Sequence, residues 1–73
     1  MKPDERAFLR ALAAMPAGGT ANEVIDANPL WRRRRKRCWV LLEKWARAGW
    51  YEYRLNLEVG SLTDKGKAAA DGC

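Results

Sequence analysis

One stretch of the 73-residue chain decides the fold: residues 31–50, WRRRRKRCWVLLEKWARAGW. At 3.6 residues per turn, its apolar side chains fall on one face of a helix: Trp31, Cys38, Leu41, Leu42 and Trp45. Gly49 follows, and glycine is the residue that most often ends a helix in the left-handed conformation. The stretch therefore predicts an amphipathic helix over residues 30–48 with one face in the core.

Beyond this helix the period of the apolar residues changes from 3.6 to 2. Residues 51–59 alternate apolar and polar side chains, which is typical of an extended strand. Because one strand alone is unstable, we expect a hairpin, or wing, over residues 50–62 that turns within residues 56–60. Thr63 is then the N-cap of a short last helix over residues 63–70.

Two helices are predicted before the long one. The first helix is predicted over residues 4–15, because acidic residues occupy its first turn and its apolar residues form a stripe. Thr20 and Glu23 form a capping-box pattern that opens a second helix over residues 20–28, before Pro29. The elements together predict one domain over residues 1–73 that is mainly helical with a small β-hairpin.

Positive charge is concentrated on the long helix. Residues 31–47 hold eight of the 14 Lys and Arg residues and one of the nine acids, a net charge of +7. The rest of the chain holds six basic and eight acidic residues, a net charge of −2. A protein that is basic on one element commonly directs that element at an anion.

Composition excludes several classes of function. The chain has no histidine and two cysteines, so zinc sites and nucleophile–base pairs have no support, and we expect neither an enzyme nor a metal, cofactor or small-molecule site. Cys38 lies in the apolar stripe and is expected to be buried. The polar N-terminus does not resemble a signal peptide, and no apolar run is long enough for a membrane span, so we expect a cytoplasmic, nucleoid-associated protein.

The order of elements resembles that of the winged helix-turn-helix: a three-helix core, a wing and a short C-terminal helix. Residues 41–50, LLEKWARAGW, followed by residues 62–68, LTDKGKA, are similar to the pattern of bacterial MarR- and PadR-type regulators. Those regulators carry additional helices that build a dimer, and their recognition helices rarely hold six consecutive basic residues. Small winged helices of phages, including excisionases, are an equally good match.

The resemblance implies duplex DNA as the partner and residues 30–48 as the recognition helix. By helical phase, Arg32, Arg33 and Lys36 face outward and are assigned to the groove. Six more basic residues complete the predicted interface. Arg34 and Arg35 reach the DNA backbone from the margins of the apolar stripe, Arg37 and Lys44 contact phosphates, Arg47 lies on the outer face of the helix, and Arg54 lies in the wing. With roughly five phosphates neutralised, log K should fall with log salt at a slope of about −4 to −5.

Other interpretations remain open at the level of sequence. The basic run suits a solvated face, and Trp39 and Val40, which lie outside the apolar stripe, suit a protein-binding module such as a phage-type inhibitor of a host regulator or nuclease. RNA would attract the same charges. A lone winged helix makes a small DNA interface, so a homodimer or a partner protein would be needed for selectivity.

Overall fold

Helices and a single hairpin make up the part of the chain that the computed structural model describes, residues 1–16 and 18–72. In order these are α1 Pro3–Ala13, α2 Ala21–Ala27, α3 Pro29–Arg33, α4 Arg35–Arg47, β1 Tyr51–Tyr53, β2 Gly60–Leu62 and α5 Asp64–Asp71. The prediction of a mainly helical chain with a small hairpin is confirmed. No helix in the described part has the length and apolar composition needed to cross a bilayer. Two residues lie outside the described part of the chain: Ala17, which belongs to the predicted α1–α2 loop, and Cys73.

Several ends of helices follow from local sequence. Asn28 opens α3 because its side-chain oxygen accepts hydrogen bonds from the N–H groups of Leu30 and Trp31, at 2.9 and 3.4 Å. Gly49, with φ of 81°, ends α4 as predicted. The N–H of Trp50 donates to the carbonyl of Trp45 at 2.8 Å, which completes a Schellman motif.

The single helix predicted over residues 30–48 is wrong, since the chain divides into α3 and α4 at Arg34. The backbone of Arg34, with φ of −111° and ψ of 38°, leaves the helical region. Adjacent like charges weaken a continuous helix here. The side chains on either side of the break also have different partners: Trp31 packs edge-on against Phe8 with centroids 5.1 Å apart, whereas Arg35 reaches α2. The break lets both contacts form.

The N-terminus of α2 is capped from a distant part of the chain. The predicted capping box is wrong, because the Thr20 side chain makes no cap hydrogen bond. The N–H of Asn22 instead donates to the carbonyl of Glu58, in the loop between the strands, at 3.0 Å. A first-turn N–H needs an acceptor, so this bond docks the loop on α2.

The hairpin is shorter than the sequence predicted. The strands pair antiparallel, with Tyr51 opposite Leu62 and Tyr53 opposite Gly60, and residues 54–59 form the loop. The return strand β2 limits the length of the hairpin, because the next residue, Thr63, is already the N-cap of α5. The Thr63 hydroxyl oxygen accepts a hydrogen bond from the N–H of Gly66 at 3.1 Å. The turn, predicted within residues 56–60, therefore begins earlier in the structure, because the loop starts at residue 54.

The core lies where α4 packs against α1, α2, the hairpin and α5. Its largest buried side chains are Trp45, Phe8, Leu9, Leu12, Ile25 and Leu42. Phe8 lies at the centre, with its ring centroid 5.8 Å from that of Trp45. Cys38 is buried, as predicted, while Trp31 and Trp50 are partly buried at the margin of the core. The apolar stripe of α4 is thus confirmed.

We expect Gly66→Ala to destabilise the protein although alanine is the better helix former. Gly66 is buried in α5, and a Cβ there would overlap the carbonyl oxygen of Trp50. Overpacking of this kind costs about 1–3 kcal/mol of unfolding free energy. Urea denaturation followed by tryptophan fluorescence measures it, with the exposed Lys67→Ala in the same helix as the control. Equal stability of the two variants would contradict the close contact.

Candidate nucleic-acid interface

The structure divides the nine basic residues of the predicted interface by their partners. Four form ion pairs with carboxylates of the same chain: Arg34, Arg35, Arg37 and Arg47. Within residues 1–16 and 18–72, the other five have no carboxylate within 4.0 Å: Arg32, Arg33, Lys36, Lys44 and Arg54. All nine side chains except that of Arg35 are exposed.

Arg35 joins three parts of the fold. One guanidinium nitrogen donates to Asn22 of α2 at 3.0 Å and to the Glu58 carboxylate of the hairpin loop. The other donates to Asp26, one turn further along α2. The carboxylate hydrogen bonds raise the pKa of Arg35, and its side chain is only 31% exposed. Because its donors are directed at the chain's own oxygens, Arg35 is the least available of the nine basic residues, and its contact with the DNA backbone stays a prediction.

Two further arginines face the N-terminus of α1. Arg37 lies 3.5 Å from Glu5 and Arg34 lies 4.0 Å from Asp4. The hydrogen bond from the backbone N–H of Lys2 lowers the pKa of Glu5, and the charges of Lys44 and Arg37 add to this effect against the opposing effect of burial. More than half of each arginine side chain remains exposed. In the Arg34–Asp4 pair both partners are exposed, and such pairs contribute little to stability, whereas the Glu5 side chain is only 13% exposed.

The side of α4 opposite the core carries a ridge of four residues at helical spacing: Lys36, Val40, Glu43 and Arg47. We call it the outer ridge. Glu43 and Arg47 pair across one turn at 2.7 Å, which neutralises the C-terminal half of the ridge. The positive end of the ridge is therefore Lys36, in the first turn of α4.

Three basic residues without ion pairs lie close together at the break between α3 and α4: Arg32, Arg33 and Lys36. We call them the cationic cluster. Arg33 and Lys36 are three residues apart, so their Cα atoms lie within about 11 Å of each other. The first turn of α4 carries no acidic residue. The cluster is thus the part of the basic run with no counter-charge among the described carboxylates within ion-pair distance.

The hairpin loop lies against the helices. Besides the bonds of Glu58 to Asn22 and Arg35, the Tyr51 hydroxyl donates to the Leu57 carbonyl at 2.5 Å. Arg35 neutralises the Glu58 carboxylate of this loop. Arg54 is exposed beside a groove lined by Gly18, Gly19 and Thr20, on the opposite side of the hairpin from the α4 groove that Tyr53 lines.

Exposed apolar side chains were the part of the surface that sequence reasoning described least well. Tyr53, at the end of β1, is 46% exposed, and Leu55, in the hairpin loop, is 91% exposed. Val40 is 59% exposed on the outer ridge, and Trp39, 41% exposed, lies beside residues 56–58 rather than on α2. The available signal was helical phase, which set Trp39 and Val40 apart from the core stripe.

Among the described residues, no three His, Cys, Asp or Glu side chains come close enough together to hold a metal ion.

We expect Arg35→Gln to lower stability more than Arg33→Gln, because Arg35 satisfies two carboxylates and an amide oxygen whereas Arg33 has no ion pair. Thermal unfolding followed by circular dichroism measures both variants at equal salt. When Glu58→Gln is added to Arg35→Gln, it should lower stability less than it does in the wild type, since the two residues are coupled. Additive effects would show that the pair contributes nothing.

Comparison of the chain with protein-family models, with curated proteins and with solved structures found no match.

Proposed function

We propose that this protein is a winged helix-turn-helix DNA-binding protein, a small transcriptional regulator or excisionase-like factor of the cytoplasm and nucleoid. The order of elements supports the proposal: α1, α2, the α3–α4 pair, the hairpin and α5. In this reading α2 and the α3–α4 pair form the helix-turn-helix, and α4 is the recognition helix. Residues 54–59 form the tip of the wing.

The observation that carries the proposal is the cationic cluster. The chain pairs Arg35 with its own carboxylates, yet it leaves Arg32, Arg33 and Lys36 exposed and without ion pairs a few residues away. Adjacent like charges repel each other, and the positive end of the α4 dipole disfavours Lys36 in the first turn. Such an arrangement costs folding stability, and a bound polyanion would offset that cost.

Duplex DNA fits the chemistry of the cluster better than a single small anion does. The three basic residues lie within five positions of one another at a helix break, so they can contact successive phosphates or reach base edges, where Arg and Lys bind the O6 and N7 atoms of guanine. Arg34 and Arg37 flank the cluster with guanidinium groups that are more than half exposed. Because such an interface is small, a homodimer or a partner protein would supply selectivity.

We expect the triple variant Arg32→Gln, Arg33→Gln, Lys36→Gln to lose most of its affinity for duplex DNA. Each phosphate contact contributes about one to the magnitude of the slope of log K against log salt, so this magnitude should decrease by up to about three, according to how many of the three side chains contact phosphates rather than base edges. Fluorescence anisotropy with a labelled duplex at several salt concentrations measures it. A matched control, Arg6→Gln, Lys65→Gln, Lys67→Gln, has the same net charge but changes α1 and α5, and it should keep most of the slope.

Equal loss in the two triple variants would show that binding follows net charge alone and would contradict the assigned interface. Competition with structured RNA of equal length separates DNA from RNA, because an A-form groove does not admit α4. If neither polymer is retained by the wild type in about 0.2 M salt, the leading function becomes the protein-binding module. The exposure of Trp39, Val40 and Tyr53 favours that second function.

A further inference from the structure

The outer ridge of α4 has an apolar residue at its centre. Val40 lies one turn after Lys36 and seven residues before Arg47, and it is 59% exposed. Phase turns it away from the core, which is formed by the opposite stripe of the same helix. Valine is also a weaker helix former than the polar residues around it. Neither the core nor the helix explains a valine at this position.

The surroundings of Val40 define the chemistry of a partner. Lys36 precedes it on the ridge, and Arg32 and Arg33 lie just before the helix, so the surface on the N-terminal side of Val40 is cationic. On the other side, Glu43 is neutralised by its pair with Arg47. The surface therefore fits an anionic partner that carries an apolar group within reach of a short side chain.

The major groove of DNA offers this combination. Its walls are phosphates, and the thymine C5-methyl group is the apolar feature on its floor. An α-helix with side chains is about 10–12 Å across and the groove about 12 Å wide, so the centre of an inserted helix face lies against the bases. Long cationic side chains then reach the phosphates, while a short central one meets a base edge.

We propose that Val40 is a specificity-determining residue that contacts the 5-methyl group of a thymine in the bound duplex. This inference rests on the proposed function and assigns to its site a preference for thymine that the charges alone would not give. Trp39 lies beside Val40 on the hairpin side and is partly exposed, so it extends the apolar surface toward the same groove.

The experiment replaces thymine by deoxyuridine, which lacks only the methyl group. Duplexes bound by the wild type are selected from a random library, and each thymine of the selected site is exchanged in turn. At one position we expect the exchange to weaken wild-type binding about fourfold, the effect of burying one methyl group. In Val40→Ala, which keeps the helix propensity, the two duplexes should bind equally.

Two further variants control the measurement. Leu55→Ala removes a more exposed apolar side chain from the wing loop and should leave the fourfold ratio unchanged. Val40→Gln supplies a second test in a good helix former, and it should also lose the ratio. Circular dichroism confirms that each variant is folded.

The outcomes separate this inference from the proposed function. If the wild type binds duplex DNA but selects no thymine, or if no exchange for deoxyuridine weakens binding, the role of Val40 is overturned and the DNA-binding function stands. A ratio that persists in both Val40 variants also overturns it. If the wild type binds no duplex at all, the proposed function fails and this inference fails with it.

Discussion

The arrangement of this protein depends on the interaction of Arg35 with α2 and the hairpin loop. Its guanidinium group satisfies Asn22 and Asp26 on one side and Glu58 on the other. The same loop caps α2 through the bond from the Asn22 N–H to the Glu58 carbonyl. One basic residue thus sets how the loop approaches the helices. Two features are consistent with the requirement that Arg35 reach both α2 and the loop: the helix break at Arg34 and the neutralised Glu58 carboxylate of the docked loop.

The α4 helix has to serve the core and the surface at once. In a chain of this size one core is all that can form, and α4 supplies Cys38, Leu41, Leu42 and Trp45 to it. Its opposite side is then necessarily solvent-facing, and it is there that the chain carries the outer ridge. Because Arg35 is used internally, three of the five predicted interface cations without ion pairs among the described residues lie at the α3–α4 break. The largest group of uncompensated charge on the predicted interface is therefore the cationic cluster.

Sequence reasoning was most accurate where a structure depends on residues within one turn. The core stripe of α4, the left-handed Gly49 and the Thr63 cap were all predicted, because spacing, backbone conformation and a side-chain acceptor are local properties. Sequence reasoning failed at the start of α2, where the cap comes from Glu58. It also failed for the length of β1, which depends on the pairing with β2. For the predicted interface, the sequence did not indicate which of the basic residues pair with carboxylates of the same chain.

The sequence by itself determined that the chain is mainly helical with a hairpin, which face of α4 is apolar and where positive charge is concentrated, because these follow from the order and spacing of residues. Only the tertiary structure decided which charges stay available. Arg35 meets Asn22 and Glu58, 13 and 23 residues away along the chain, and no periodicity records such a contact. Ion pairs form between groups that folding brings within a few ångströms, and that distance is a property of the assembled fold.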